Sequence, residues 1–392
     1  MKKILKLTGI FLAILIFHLS CKPSDNTGHD ENIPDTSLVY IGTYTLDNAG
    51  KPNGSKGIYI YSFNNKTGDL KYNSTSPQTE NPSYLAIHAT KKYLYCVNEL
   101  DDSTGGGYLT AFKIGDNGKS LSFINSVPSE GAWPCHLSVD NSGKYIMDAN
   151  YGSGTVALFG INTDGSLTTA KYVHQHVRKM TDGPEVVPHA HMIQQAKLSS
   201  GVFSTDLGTD MVWAYVLDTL KEKLEPAKIH IPTQSGAGPR HFEFHPFMPW
   251  VYVLNELNGT IEAFSTDSKI GFWNRFQVIS TLGQGKADTI SSADIHISPS
   301  GKFLYASNRA KINNIAMYQI NQQSGELKFM GLQGTGGKTP RNFAISPGGR
   351  FMLVANQNSN NIVVFKIDPE NGWLESTEKS VSVPAPVCIK FY

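Results

Sequence analysis

The residues of this chain best suited to chemistry are imidazoles, guanidiniums and carboxylates at matching places in a repeated segment. His136, His189, His191, Arg240, His241, Asp294, His296 and Arg341 stand at or near the start of one short apolar stretch in successive copies. Glu99, Asn150, Asp206, Glu256, Arg309 and Gln357 close the stretch that follows. A carboxylate or neutral imidazole can accept a proton from water, and a guanidinium fork can hold an oxyanion, a carboxylate or a phosphate through two parallel hydrogen bonds. Those groups suffice for the direct addition of an activated water to a carbonyl, with no cofactor. No Ser nucleophile elbow is present, and no Cys or His spacing matches a zinc site, so no metal is expected.

The repeat is what must position these groups. Six apolar alternations end in Asn or Asp: Leu94-Tyr95-Cys96-Val97-Asn98, Tyr145-Ile146-Met147-Asp148-Ala149-Asn150, Val202-Phe203-Ser204-Thr205-Asp206, Val251-Tyr252-Val253-Leu254-Asn255, Leu304-Tyr305-Ala306-Ser307-Asn308 and Met352-Leu353-Val354-Ala355-Asn356. Leu38-Val39-Tyr40-Ile41-Gly42-Thr43-Tyr44 is a weaker seventh copy. A spacing of roughly 46 to 56 residues is the period of a propeller or similar array. Within each copy, period-2 alternation is punctuated by Gly, Pro, Asn and Ser turns, which reads as four short strands and no helix. Four antiparallel strands repeated radially make a propeller blade.

First strands begin near Ser83, Cys135, His189, Arg240, Ala293 and Arg341, and Val387-Cys388-Ile389-Lys390-Phe391-Tyr392 is a first strand with nothing after it. The segment from 38 to about 75 has later strands and no first one. Joining the two predicts an all-β, seven-bladed propeller over 37–392, its ring closed by a C-terminal innermost strand that leaves no open edge. Residues 171–195 fit the repeat least well. An antiparallel pair brings the start of its first strand and the end of its second to one edge. All the polar residues named above are therefore expected around one mouth of the central channel. The competing explanation for each is that it merely solvates a wet channel.

Composition narrows the function classes. A formal charge of +1 over 392 residues gives no nucleic-acid footprint. Lys2, Lys3 and Lys6 precede an apolar run from Leu7 to Phe17, too short for a membrane span and laid out as an export signal. Leu19-Ser20-Cys21 then resembles a lipoprotein box, with His18 a departure from it, so 1–21 is read as a signal with lipidation at Cys21. Residues 22–36 read as a flexible tether. The protein is expected to be exported to the periplasm or outer membrane, touching membrane only through that anchor and otherwise monomeric. Cys96, Cys135 and Cys388 fall in different blades and are expected as buried thiols.

Several motifs carry a family resemblance that spans about 38–392. Pro188-His189-Ala190-His191, Thr205-Asp206-Leu207-Gly208-Thr209-Asp210, Gly238-Pro239-Arg240-His241, Asn255-Glu256, Ser307-Asn308-Arg309, Thr339-Pro340-Arg341-Asn342 and Ala355-Asn356-Gln357 look like those of the lactonase-type seven-bladed propellers. That family includes propeller-type 6-phosphogluconolactonases and carboxy-cis,cis-muconate cyclases. The resemblance implies a catalytic set of His191 (or His189), Arg240, Glu256 and Arg309, with Glu256 or a channel histidine as base. His136, His189, His241, His296, Arg341, Gln357 and Glu99 are expected to bind substrate around it. Ala310-Lys311 departs from the Gly-His pair that the family would place there. Hydrolysis of a sugar lactone, phosphorylated or not, is the leading expectation. A muconate-type cycloisomerase and a non-catalytic binding propeller are the alternatives.

Overall fold

The computed structural model describes residues 33–47, 49–101, 106–178, 186–197, 199–267, 272–285 and 289–392. The expected signal with Cys21 and most of the expected tether lie outside the described residues. The first strand is Thr36–Thr43. Asp35 just before it pairs with Lys66, and the side chain of Asn65 donates to the Pro34 carbonyl.

Seven antiparallel sheets form among the described residues, six of them in chain order from first strand to last and the seventh, blade 1, headed by the C-terminal strand. Blade 2 runs through Tyr84–Ile87, Tyr93–Asn98, Tyr108–Ile114 and Leu121–Pro128. Blades 3, 5, 6 and 7 repeat it over 134–175, 239–280, 292–334 and 340–382. Blade 4 is the irregular one: its third strand, Met211–Asp218, pairs with Lys223–Pro226 and again with Ile231–Pro232. First strands of neighbouring blades touch one another, which puts them around the axis.

Blade 1 closes the ring as expected. Pro386–Phe391 lies antiparallel to Thr36–Thr43, with Ile389 opposite Ile41 and Cys388 opposite Gly42. A chain this long exceeds a single-core domain, and it solves the problem with separate cores between blades. Trp250, Tyr252 and Leu254 of blade 5 pack on Ile295, Leu304 and Tyr318 of blade 6. Val39, Ile41 and Phe63 of blade 1 pack on Leu353 and Ala355 of blade 7.

Two side-chain devices recur with the repeat and explain its conserved look from copy to copy. A tyrosine in the second strand donates to a carbonyl in the outer turn of the next blade: Tyr40 to Gly118 at 2.7 Å, Tyr95 to Gly165 at 3.1 Å, Tyr252 to Gly325 at 2.8 Å and Tyr305 to Gly372 at 2.9 Å. The Asn ending the second strand donates to a carbonyl of the chain arriving from the preceding blade. Asn150 reaches Ser129 at 3.0 Å, Asn308 reaches Thr281 at 3.2 Å and Asn356 reaches Thr335 at 3.1 Å. These asparagines tie the ring together. The residue after each of them is left to vary.

Candidate active site

That variable residue is held identically in all seven blades, by its backbone N–H on a carbonyl just before the first strand. Tyr44, Glu99, Tyr151, Leu207, Glu256, Arg309 and Gln357 donate to Ala385, Asn81, Trp133, His189, Gly238, Ser291 and Thr339, at 2.7 to 3.1 Å. The first strand supplies the second set of side chains through a bulge. In blade 5, Pro239 opposes Asn255 and His241 opposes Leu254, which leaves Arg240 unpaired between them. The same register shift occurs at Cys135, His191, Arg341 and Val387, and over Ala293-Asp294 in blade 6. A bulge re-aims a side chain and is common beside active sites. Here it lets two consecutive residues, such as Arg240 and His241, both line the channel.

The upper layer is a network of ion pairs. Glu256 Oε2 accepts from Arg240 Nε at 3.0 Å, and its Oε1 faces Arg309 Nη2 at 2.8 Å and accepts from Ser291 Oγ at 3.0 Å. Arg309 Nη2 also donates to Ser291 Oγ at 2.8 Å. Arg240, 2% exposed, further donates to the Ala293 carbonyl. Glu99 forms a second node, accepting from Tyr44 Oη at 2.8 Å and Ser83 Oγ at 2.5 Å, with Arg341 Nη2 at 3.5 Å. Burial pulls the Glu256 carboxyl upward, but Arg309, Arg240 and the Ser291 hydroxyl outweigh it and hold the pKa below the usual value. Burial and Arg240 lower Arg309 to about 9, still cationic at neutral pH.

His191 is buried in this layer, edge-on to Tyr151 at 5.7 Å and to His241 at 5.2 Å, and its Nδ1 has no hydrogen-bond partner. Burial, with Arg240 next, holds its pKa well below 6.5, so the imidazole is neutral. His189 stacks on Tyr151 at 4.5 Å and bonds its carbonyl through Nδ1 at 2.9 Å. Above the layer opens a cavity of about 980 Å³, lined among others by Tyr44, Asp47, Glu99, Asp101, Trp133, Arg341 and Gln357.

The lower layer faces the other way. His241 Nδ1 lies 2.8 Å from Asp294 Oδ1, His296 Nε2 lies 3.1 Å from Asp294 Oδ2, and His296 Nδ1 lies 3.3 Å from Glu243 Oε2. Asn342 Nδ2, at 2.5 Å, and the Phe343 N–H, at 3.2 Å, also donate to Asp294 Oδ2. With His136, Lys390 and Tyr84, the residues His241, Glu243, Asp294 and His296 line a second cavity of about 440 Å³.

A family described as the seven-bladed β-propeller lactonases matches residues 38–391. The chain belongs to that lactonase family. Among similar proteins, the 6-phosphogluconolactonase of Bacillus subtilis is 33% identical over 354 residues, covering 90% of this chain and 98% of that one. The 6-phosphogluconolactonase of Formosa agariphila is 34% identical over 350 residues, covering 88% and 96%. Among solved structures, the periplasmic gluconolactonase of Pseudomonas aeruginosa superposes with a TM-score of 0.84 at 30% identity, covering 91% of this chain and 99% of that one. A putative 6-phosphogluconolactonase of Bacteroides uniformis gives 0.83 at 35%, covering 92% and 100%.

In this lactonase the expected residues divide between the two layers. Glu256, Arg240, Arg309, His191, Arg341, Glu99, Gln357 and His189 gather at or just below the upper mouth. His136 and His296 do not: they line the opposite cavity, and His241 stands at the boundary. A strand advances about 3.3 Å per residue, so a side chain one or three places past the bulge faces the channel at a deeper level. Asp206 is structural, its Oδ1 accepting from the His189 and Thr209 N–H groups and its Oδ2 bonded to His176 Nδ1. Tyr44, Ser83 and Ser291 escaped the sequence reading. Aligning the weak first copy, Gly42-Thr43-Tyr44, on Val97-Asn98-Glu99 would have found Tyr44. Cys96, Cys135 and Cys388 are buried free thiols. Among the described residues no group of three or more His, Cys, Asp or Glu is arranged to hold a metal ion.

Two predictions arise from this geometry. Ala310, where the family would carry Gly, has φ +61°, a left-handed conformation that costs a residue with a Cβ about 1–2 kcal/mol. Ala310→Gly is expected to raise stability by about 0.5–1 kcal/mol after the entropy cost of glycine. An unchanged or lower urea midpoint would refute this.

The second concerns pH. Burial opposes the charge on His296, but Asp294 and Glu243 prevail and raise its pKa from 6.5 to about 10. A raised pKa means stability present in full below pH 6.5 and lost as pH climbs through about 10. The urea midpoint should therefore fall more between pH 6.5 and 10 in the parent than in His296→Gln. Equal falls would exclude the linkage.

Proposed function

We propose that this lactonase hydrolyses an unphosphorylated sugar lactone, such as an aldono-δ-lactone, outside the cytoplasm. One observation carries the choice of substrate. Among the described residues lining the upper cavity, Arg341 is the one cation and it is paired with Glu99, while Asp47 adds negative charge. Arg240 and Arg309 below are committed to Glu256. A 6-phosphate group would meet carboxylates where it needs unpaired guanidiniums or ammoniums. A neutral polyhydroxylated ring instead finds hydroxyl, amide and carboxylate partners.

In this reading the lactone carbonyl approaches the Arg240–Arg309 pair, whose guanidiniums stabilise the oxyanion that forms when water adds. Glu256 has both oxygens engaged and a lowered pKa, so it serves to hold the two cations in place. The proton from water goes to a neutral channel histidine. The test is direct: measure glucono-δ-lactone and its 6-phosphate side by side at a pH where spontaneous opening is slow. A higher kcat/KM for the unphosphorylated lactone is expected. Preference for the phosphate would overturn the substrate assignment, and no turnover of either would overturn hydrolysis.

Export supports the same substrate class, since phosphorylated sugars belong to the cytoplasm. The Lys2-Lys3-Lys6 cluster, the apolar run and Cys21 support an anchored, exported protein. Among the described residues no helix is long and apolar enough to cross a membrane. Cys21→Ser is expected to move the protein from the membrane fraction to the soluble periplasm or to leave the signal uncleaved. Unchanged fractionation would count against lipidation.

A further inference from the structure

Between the two cavities the channel narrows to a waist of about 10 Å³, lined by Ser83, Cys135, His191, Arg240, His241 and Arg341 among others. That volume is about one water molecule, and a buried water needs roughly two to four polar partners. The waist supplies them. His191, 4% exposed, brings a buried Nδ1 that no protein group satisfies, a cost that a hydrogen-bonded water would remove. His241 has Nδ1 committed to Asp294 at 2.8 Å, so Nε2 is the nitrogen that accepts, and it is held only by a long hydrogen bond from Arg240 Nη1 at 3.3 Å. Arg341 lines both the waist and the upper cavity, and His241 both the waist and the lower one.

We propose that the waist holds the hydrolytic water, that His241 is the base that takes its proton, and that Asp294 is the positioning residue that fixes the reactive tautomer of His241. The lower cavity feeds water to this point while substrate occupies the upper one. The proposal rests on the lactonase reading above and names its base.

Asp294 suits the task because four hydrogen bonds hold it: His241 on one oxygen, and His296, Asn342 and the Phe343 N–H on the other. A buried carboxylate behind an imidazole sets which nitrogen carries the proton and stabilises the imidazolium when it forms. Glu256 lacks a free oxygen for the same work. As the water oxygen bonds to the carbonyl carbon, one O–H bond breaks and the proton passes to His241 Nε2. The carbonyl π pair moves onto the oxygen facing Arg240 and Arg309. When the tetrahedral intermediate collapses, the ring C–O bond breaks and the ring oxygen takes the proton from His241. A hydroxy acid and a neutral His241 remain.

Two measurements on the full-length protein test this. A high-resolution crystal structure of the unliganded parent is expected to show one ordered water within hydrogen-bond distance of His191 Nδ1 and His241 Nε2. A waist without that water overturns the proposal. His241→Gln is expected to lower kcat by about a hundredfold with little change in KM, and His241→Ala to regain part of its turnover when imidazole is added. A merely structural role would not produce that rescue. Parental kcat in His241→Gln overturns the base while leaving lactone hydrolysis intact, whereas a parent that turns over no lactone overturns both.

Discussion

Glu256→Gln is expected to lower lactone turnover by roughly two to three orders of magnitude, the range seen when an oxyanion-stabilising donor is lost. The carboxylate is the shared counter-charge of Arg240, at 3.0 Å, and Arg309, at 2.8 Å. Glutamine keeps the shape but turns an NH₂ group toward one guanidinium and leaves two buried cations facing each other. The pair then splays, and the oxyanion loses donors that were set in place before substrate arrived. Arg240→Lys should be nearly as damaging. Arg240 uses Nε for Glu256 and Nη1 for the Ala293 carbonyl, beside His241, and a single ammonium cannot reproduce that fork. Initial rates on glucono-δ-lactone with both variants, checked for fold by circular dichroism, decide the matter. If both are folded and run at the parental rate, this cluster is a solvated channel wall and a binding role takes precedence.

Deleting 387–392 is expected to abolish cooperative folding or to lower the melting temperature by tens of degrees. The deletion removes all but the first residue of the innermost strand of blade 1 and uncovers the ladder along Thr36–Thr43. Val387, Cys388 and Ile389 are at most 2% exposed, and burying a Val or Ile side chain is worth about 1.5–3 kcal/mol. The hydrogen bond from the Ile389 N–H to Asn342 Oδ1, at 2.7 Å, and the edge contact of Tyr392 on Tyr40 go too. Against a total stability of about 5–15 kcal/mol these losses are large. A ring also has no slack, since an open blade exposes two edges at once. Thermal unfolding of the truncated chain within a few degrees of the parent would rule out this closure.

The architecture was legible because strand periodicity and turn chemistry are local. Period-2 alternation, a Gly or Pro every few residues and an Asn closing each second strand recur through 38–392, and an unmatched first strand at 387–392 called for the segment that lacked one. The variable place after each Asn was legible for the same reason. One repeated backbone hydrogen bond holds it, so position in the repeat gives position at the mouth.

Depth along the channel was not legible. His136, Arg240, His241 and His296 all stand near the start of first strands, yet Arg240 joins the upper layer, His241 borders the waist, and His136 and His296 face the opposite cavity. The bulges that decide this are register events between two strands, visible only when both are paired. The charge state of each group is likewise tertiary. Glu256 reads as a base in sequence. Only the approach of Arg309 from blade 6, alongside Arg240 of its own blade, fills both its oxygens. His241 reads as one histidine among many, and only Asp294, brought 2.8 Å away by the neighbouring blade, gives it a fixed tautomer. Sequence determined which side chains reach the channel; the packing of adjacent blades decided which of them meet, because the Arg309–Glu256 and Asp294–His241 contacts join residues some 50 positions apart in the chain, about one repeat.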